Sequence, residues 1–242
     1  MILQVCAKSD VGLSRHNNED SYAADTGLGL FVIADGMGGH AAGDVASRIA
    51  VESCQTKIQS VSAENPQKQI RAAVEQANRD IENAASNNKS WVGMGTTLSL
   101  LLCHQNRGYL GHVGDSRIYL LRHSHLEQLS DDHSLVGEQI RQGVLTPEQA
   151  RHSTLGNILL QALGITSELD ICQKNFPLEE GDRLLLCSDG LTDMVDDARI
   201  KTIMVQNTTI DTLCRELIES ALSAGGKDNI TVILIQIDKL DS

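Results

Sequence analysis

The chain has 242 residues, enough for one large domain or two small ones with a sizeable buried core. Its formal net charge is −12 and no local basic patch offsets it, which argues against partners such as nucleic acid or an anionic membrane. Aromatic residues make up only 2%, so Leu, Ile, Val and Ala must build the core. Cys6, Cys54, Cys103, Cys172, Cys187 and Cys214 show neither a CxxC pair nor a zinc-type spacing. Most lie in apolar runs and read as free thiols in a reducing compartment. The start MILQVCAKSD lacks the basic residues and apolar length of a signal peptide. No apolar run approaches the roughly 18 residues that a spanning helix needs. The expectation is a soluble cytoplasmic protein.

Along the chain, residues 2–8 alternate like a strand, and LGLFVIA (28–34) is a continuous apolar run typical of a buried strand. Val45, Ile49, Cys54 and Ile58 lie near helical spacing over 43–58. A clearer helix spans 67–85, where Ile70, Val74, Ala77, Ile81 and Ala84 form one stripe. Strand-like runs at 96–103, 107–113 and 116–122 are separated by short turns and predict an antiparallel meander. Residues 134–164 read as helix and loop, with Pro147 at a helix start. A strand at 182–187, a helix at 209–224 stopped by Gly225-Gly226, and a strand at 230–237 complete the chain. With no linker or low-complexity tract, the pattern predicts a single α+β domain in which helices cover antiparallel sheets.

Acidic residues recur beside the strands. FVIA leads to Asp35-Gly36, YLGHVG to Asp115-Ser116, LLLCS to Asp189-Gly190, and Asp228-Asn229 leads into ITVILIQI. An ionised carboxylate at the edge of a buried strand is costly without a positive partner, and no Lys or Arg cluster serves all four. A hard divalent cation, which prefers oxygen ligands, is the natural partner.

Other readings are weaker. DGMGGHAAG (35–43) contains GxGxxA between strand and helix, but Asp35 before the first glycine would repel a pyrophosphate. The acidic residues are too scattered for an EF-hand. Taken singly, Arg15 in RHNNED (15–20) reads as a surface salt bridge to Glu19 or Asp20, GHVGDSRIY (111–119) as a hairpin turn, and His40, His112 and His133 as structural.

Together the motifs are not independent. RHNNED, DGMGGH, GMGTT (93–97), GHVGDSR, LLLCSDGL (184–191) and GGKDNITV (225–232) occur in one order over residues 3–237. In this the chain resembles the metal-dependent protein serine/threonine phosphatases, the type 2C or PPM family, in its bacterial form. The resemblance implies two antiparallel sheets packed as a central sandwich with helices on both outer faces. It implies a first metal on Asp35, Asp189 and Asp228, with Asp35 bridging to a second that also takes the Gly36 carbonyl. Glu19 and Asp20 match outer-sphere positions acting through water. Asp115, with Asp189, matches a third, weaker site, and Asn229 supports the loop that presents Asp228. Arg15 becomes a phosphate contact, since its planar fork suits phosphate oxygens.

The implied cofactor is Mn²⁺ or Mg²⁺. Two such ions about 3.5–4 Å apart share a water and lower its pKa, and the hydroxide attacks phosphorus in line. No Cys-x5-Arg element offers a protein nucleophile. The implied partners are phosphorylated proteins and a cognate serine/threonine kinase or its substrates, with the chain a monomer. Two departures stand out. Met37 occupies the place of a His proposed elsewhere in the family as general acid, leaving His40 or a metal-bound water for that task. The flap at 134–164 reads RHSTLGNILLQALG at its end, with Ser153, Gly156 and Gln161 where relatives often carry an HP pair and an Arg. A non-catalytic phosphoprotein-binding module of the same fold is the alternative, and the complete Asp35, Asp189 and Asp228 set argues against it. The acidic charge argues against a nuclease.

Overall fold

The computed structural model describes residues 1–38, 42–61, 65–151, 153, 155 and 158–241, with the backbone alone at 147 and 151. The strands are β1 (Ile2–Asp10), β2 (Asp20–Asp25), β3 (Leu30–Met37), β4 (Gly95–Thr96), β5 (Leu98–His104), β6 (Arg107–Val113), β7 (Arg117–Arg122), β8 (His125–Gln128), β9 (Cys172–Pro177), β10 (Arg183–Cys187) and β11 (Ile230–Lys239). The helices are α1 (Gly43–Lys57), α2 (Pro66–Asn87), α3 (Leu135–Arg141), α4 (Pro147–Arg151), α5 (Asp189–Thr192), α6 (Asp197–Met204) and α7 (Ile210–Ser223).

One sheet runs β1-β11-β10-β7-β8 and the other β2-β3-β5-β6-β9, with β4 paired to β3. All the pairings are antiparallel. Side-chain alternation explains the continuous apolar runs, because each central strand is buried on both faces. Phe31, Ile33, Leu101 and Leu110 of one sheet meet Ile118, Leu120, Leu184, Leu186, Ile233 and Ile235 of the other. Their neighbours Leu30, Val32, Ala34, Leu100 and Leu102 face outward onto Ala46, Ala50, Cys54, Ile70, Val74, Ala77 and Ile81. Leu185, Cys187, Val232 and Leu234 likewise face Leu213, Cys214, Leu217, Ala221 and Ile203. The result is four layers, with α1 and α2 on one outer face and α6 and α7 on the other, as expected.

Local chemistry sets the long helix ends. Asn65 accepts from Lys68 N at 3.0 Å with Pro66 in the first turn of α2, and Thr209 accepts from Thr212 N at 3.3 Å at the start of α7. Gly225 (φ 128°) and Gly226 (φ 48°) end α7, their amides donating to Leu222 O and Ala221 O at 3.0 Å each.

The structure departs from the sequence reading in several elements. β2, β8, β9, α5 and α6 are additional short segments; β2 and β8 form hairpins with their neighbours β3 and β7, while β9 pairs with the more distant β6. The expected 96–103 strand is broken at Thr97 into β4 and β5, both of which pair with β3. α4 does start at Pro147.

Leu186 is fully buried between the sheets. Leu186→Ala should lower the unfolding free energy by about 2–5 kcal/mol, through lost burial and a residual cavity. Urea titration measures this, and a loss below the Ile→Val range would show that the inter-sheet layer collapses around the gap.

Candidate active site

The acidic residues gather at one rim of the sandwich from both sheets. Asp20 opens β2 and lies directly across from Asp35 in β3. Asp35 sits inside its strand, which continues to Met37. Asp189 is the first residue of α5, preceded by Ser188. Asp115 occupies the turn between β6 and β7, and Asp228 the loop before β11. Like charges directly opposed across a ladder are destabilising, so the Asp20/Asp35 register needs a compensating charge.

Neighbouring motifs hold these segments in place. Asp35 N donates to Thr97 Oγ1 at 3.0 Å, and Thr97 N donates to Asp35 O at 2.9 Å. Thr97 Oγ1 and Ser116 Oγ lie 2.8 Å apart, tying GMGTT to the Asp115 turn. A side chain on Gly114 (φ 110°) would run into Thr97, so this approach requires glycine. Gly36 N donates to Glu19 O at 3.1 Å, and a Cβ on Gly36 would collide with Gly43 O. This close packing places the Glu19 carboxylate beside Gly43 at the start of α1.

Burial and mutual repulsion shift the carboxyls in one direction. Burial, then the charges of Asp20, Asp189, Asp115 and Asp228, push Asp35 well above the carboxylate range. Asp189 is raised well above it by burial, Asp115, Asp193 and Asp228. Burial, Asp132 and Asp193 lift Asp115 to about 7 against the pull of Arg117. Burial lifts Asp20 to about 6, partly offset by Thr231 Oγ1 (2.6 Å) and Ser188 Oγ (2.8 Å), which both donate to its Oδ2. Glu19 is raised, mainly by burial.

Two oxygens of this group, Asp20 Oδ1 and Asp189 Oδ1, are buried without a hydrogen-bond partner. An unpaired buried charge of this kind costs several kcal/mol. Among the described residues the side chains do not close into a cage of three or more ligands. The carboxylates still lie near enough to raise one another's pKa values. The donor set is all oxygen with orphaned atoms, which fits a hard divalent cation. Asp35, Asp189, Asp228 and Asp115, the Gly36 carbonyl, and Asp20 and Glu19 through water could hold such ions.

Arg15 is placed differently from its plain reading. Its Nη2 donates to Asp228 Oδ2 at 2.6 Å, not to Glu19 or Asp20. The loop of residues 11–19 lies against the loop before β11, so the pairing is made in three dimensions. His40 lies outside the described residues, as does Gly156 of the flap.

Sequence reasoning missed Asp193 and Asp132, whose charges act on Asp115, and Arg117, which holds Asp132 through Nε (3.0 Å) and Nη2 (2.7 Å). Asp132 sits in SDDHS (130–134), just before the flap, a segment whose two adjacent carboxylates were the available signal; Asp193 had none beyond lying four residues after Asp189. The root is stitched to the Asp115 turn by His133 N donating to Gly114 O at 2.7 Å. The far end of the flap returns through Leu163 N to Thr96 O at 2.9 Å and Gly164 N to Asn78 Oδ1 at 2.6 Å.

The four-layer sandwich superposes on solved structures of bacterial serine/threonine phosphatases. Residues 14–225 match the protein phosphatase 2C family. A serine/threonine phosphatase, stp, of Listeria monocytogenes is 38% identical over 238 residues, 96% of this chain and 94% of that protein. The crystal structure of the serine/threonine phosphatase PstP/Ppp of Mycobacterium tuberculosis superposes with a TM-score of 0.93 at 37% identity, covering 99% of this chain and 100% of that one. The catalytic domain of PstP in complex with two manganese ions gives a TM-score of 0.90 at 38% identity, covering 98% and 99%. The chain belongs to the protein phosphatase 2C family and is an enzyme of its serine/threonine phosphatase class, a hydrolase. No helix among the described residues is long and apolar enough to cross a membrane.

The raised carboxyls make a pH prediction for the metal-free protein. Unfolded, these groups titrate near 3.8; folded, Asp20 titrates at about 6 and Asp115 at about 7, and Asp35 and Asp189 are also raised well above 3.8. In that interval the folded state binds more protons, so unfolding free energy falls as pH rises. His112, lowered to about 4, and His133, also lowered, work oppositely, but only below their ordinary 6.5. From pH 6.5 to about 8 the melting temperature in chelator should therefore fall, as unfolding free energy drops by about 1.4 kcal/mol per pH unit for each proton retained. Saturating Mn²⁺ should flatten the slope. A chelated protein whose Tm climbs over this interval would contradict the carboxylate account.

Proposed function

We propose that this chain hydrolyses phosphoserine and phosphothreonine in proteins at a binuclear Mn²⁺ or Mg²⁺ centre held by Asp35, Asp189 and Asp228, with the Gly36 carbonyl on the second ion. The observation that carries this is the buried, mutually repelling carboxylate set with orphaned oxygens on Asp20 and Asp189. When bound, such a pair supplies a water of near-neutral pKa as nucleophile and neutralises charge on the transferring phosphoryl group.

The chain's own residues do the rest. Arg15, half-exposed on the rim, exchanges its contact with Asp228 for the phosphoryl oxygens and orients phosphorus for in-line attack. Asp20 and Glu19 accept hydrogen bonds from waters at the centre, and Ser188 and Thr231 hold Asp20 in place for this. Asp115, with Asp189, forms a third, weaker cation position beside the flap root. His40 is proposed as the proton donor to the departing Ser or Thr oxygen, since Met37 cannot donate.

The chain acts as a single domain with a flap at about 134–164 bordering the site. It works as a cytoplasmic monomer on phosphoproteins made by a cognate kinase, a setting that suits its free cysteines.

Phosphopeptide assays with Mn²⁺, Mg²⁺ or chelator test the reading. Activity should need the cation. Asp35→Asn should abolish turnover while raising the Tm measured in chelator, because a repelling charge is gone. Full activity of Asp35→Asn, or in chelator, would refute the binuclear centre. Arg15→Ala should raise KM for phosphopeptides and for small aryl phosphates alike, at a cost of about 1.5–3 kcal/mol in kcat/KM. Unaltered kinetics would return Arg15 to an ion pair with Asp228.

A further inference from the structure

Asn229 follows a proposed cation ligand, and the family resemblance implies that it supports the loop presenting Asp228. Its side chain also reaches across to the opposite loop. Nδ2 donates to Val11 O at 3.0 Å and to Asn17 O at 2.9 Å, while Oδ1 accepts from Glu19 N at 2.8 Å. All three partners are backbone groups of the opposite loop, which carries Arg15. The amide orientation is unambiguous, since two carbonyls face the nitrogen and one N–H faces the oxygen. The residue is 5% exposed, so these bonds are shielded from competing water.

The backbone of Asn229 faces the other way. Its N–H donates to Asp228 Oδ1 at 2.8 Å, and a Cβ on Gly190 would collide with its carbonyl oxygen. One residue thus joins the Asp228 loop, the Asp189-Gly190 turn and the Arg15 loop. The two loops also touch directly: Leu13 N donates to Gly226 O at 2.7 Å, and a side chain on Gly12 (φ 77°) would strike Asp228 O. Those contacts clamp the start of the 11–19 loop. Asn18 Nδ2 donates to Ser9 Oγ at 2.7 Å and Gly36 N to Glu19 O at 3.1 Å at the far end, while Asn229 grips the loop on both sides of Arg15.

We propose that Asn229 is the positioning residue of the phosphate contact: its carboxamide fixes the 11–19 loop so that the Arg15 guanidinium stands over the carboxylate rim. A long side chain such as Arg gains binding strength only when its backbone is held, because an unpinned loop must be ordered on each encounter. The proposed ligands Asp35 and Asp189 lie on other segments, and Asp228 is tied to Asn229 through its backbone N–H and not its carboxamide, so loss of the carboxamide acts on phosphate engagement first. This inference rests on Arg15 contacting the phosphoryl group.

Asn229→Asp keeps the shape and the acceptor but sets a carboxylate oxygen against the Val11 and Asn17 carbonyls; Asn229→Ser shortens the donor without adding charge. The experiment is a double-mutant cycle with Arg15→Ala, using nitrophenyl phosphate and a phosphothreonine peptide at saturating Mn²⁺, alongside thermal melts and Mn²⁺ calorimetry. Each Asn229 variant should raise KM for both substrates roughly tenfold or more, the change that about 1.4 kcal/mol produces, with kcat little altered. Adding Arg15→Ala to either should then cost far less than it does in the parent. Mn²⁺ stoichiometry should not change. An Arg15→Ala effect of full size in both backgrounds, or a kcat loss at constant KM, would overturn the role of Asn229 while leaving the phosphate contact standing. Loss of the fold in both variants would also overturn it, by making Asn229 a structural residue. An unaltered KM in Arg15→Ala alone would remove the phosphate contact itself, and this inference with it.

Discussion

Asp20 and Asp35 face each other across a β-ladder, half-buried, with Asp189, Asp115 and Asp228 near enough to act on both. Folding alone gives no reason to assemble such a set. Each carboxyl removed from water without a counter-charge costs several kcal/mol, and each added neighbour raises that cost. The rest of the rim is arranged around this cost. Ser188 and Thr231 donate to Asp20, Arg15 pairs with Asp228, and Arg117 opposes the charge at Asp115. The remainder, left on Asp20 Oδ1 and Asp189 Oδ1, is what a divalent cation would neutralise.

The sandwich makes the arrangement possible because it brings strand ends from two separate sheets to one rim. Asp35 belongs to one sheet, while Asp189 and Asp228 flank strands of the other. The apolar layer of Phe31, Ile33, Leu184, Leu186, Ile233 and Ile235 fixes how far apart those rims stand. Close-packed interiors do not flex to relieve repulsion at their edge. Short side chains then lock the turns together, as Thr97 does with Ser116 and the glycine at 114. The flap root shares this framework through His133 and Gly114, so the Asp115 turn and the start of the flap cannot move independently.

Much of this was legible in the residues. The continuous apolar runs at 28–34, 182–187 and 230–237 exist because those strands are buried on both faces, and such runs read as strands from composition alone. The stripes of α2 and α7 follow from period 3.6 and from their caps. Strands β2, β8 and β9 were not legible, because a polar hexapeptide such as CQKNFP becomes a strand only when β6 offers it a ladder. α6 escaped for a related reason: eight residues carry too little periodicity, and its burial comes from α7.

The chain's order of carboxylates, glycines and hydroxyl residues determined which groups are available and which chemistry they suit, because oxygen donors beside buried strands admit few partners other than hard cations. Tertiary structure alone decided who stands next to whom. Nothing local in RHNNED distinguishes Asp228, more than two hundred residues away, from the adjacent Glu19 and Asp20 as the partner of Arg15. Nothing local shows that Asn229 grips the opposite loop, or that Asp132 and Asp193 act on Asp115. Those relations arise where separate segments meet at the rim, and their energies depend on burial and distance, which a linear sequence does not contain.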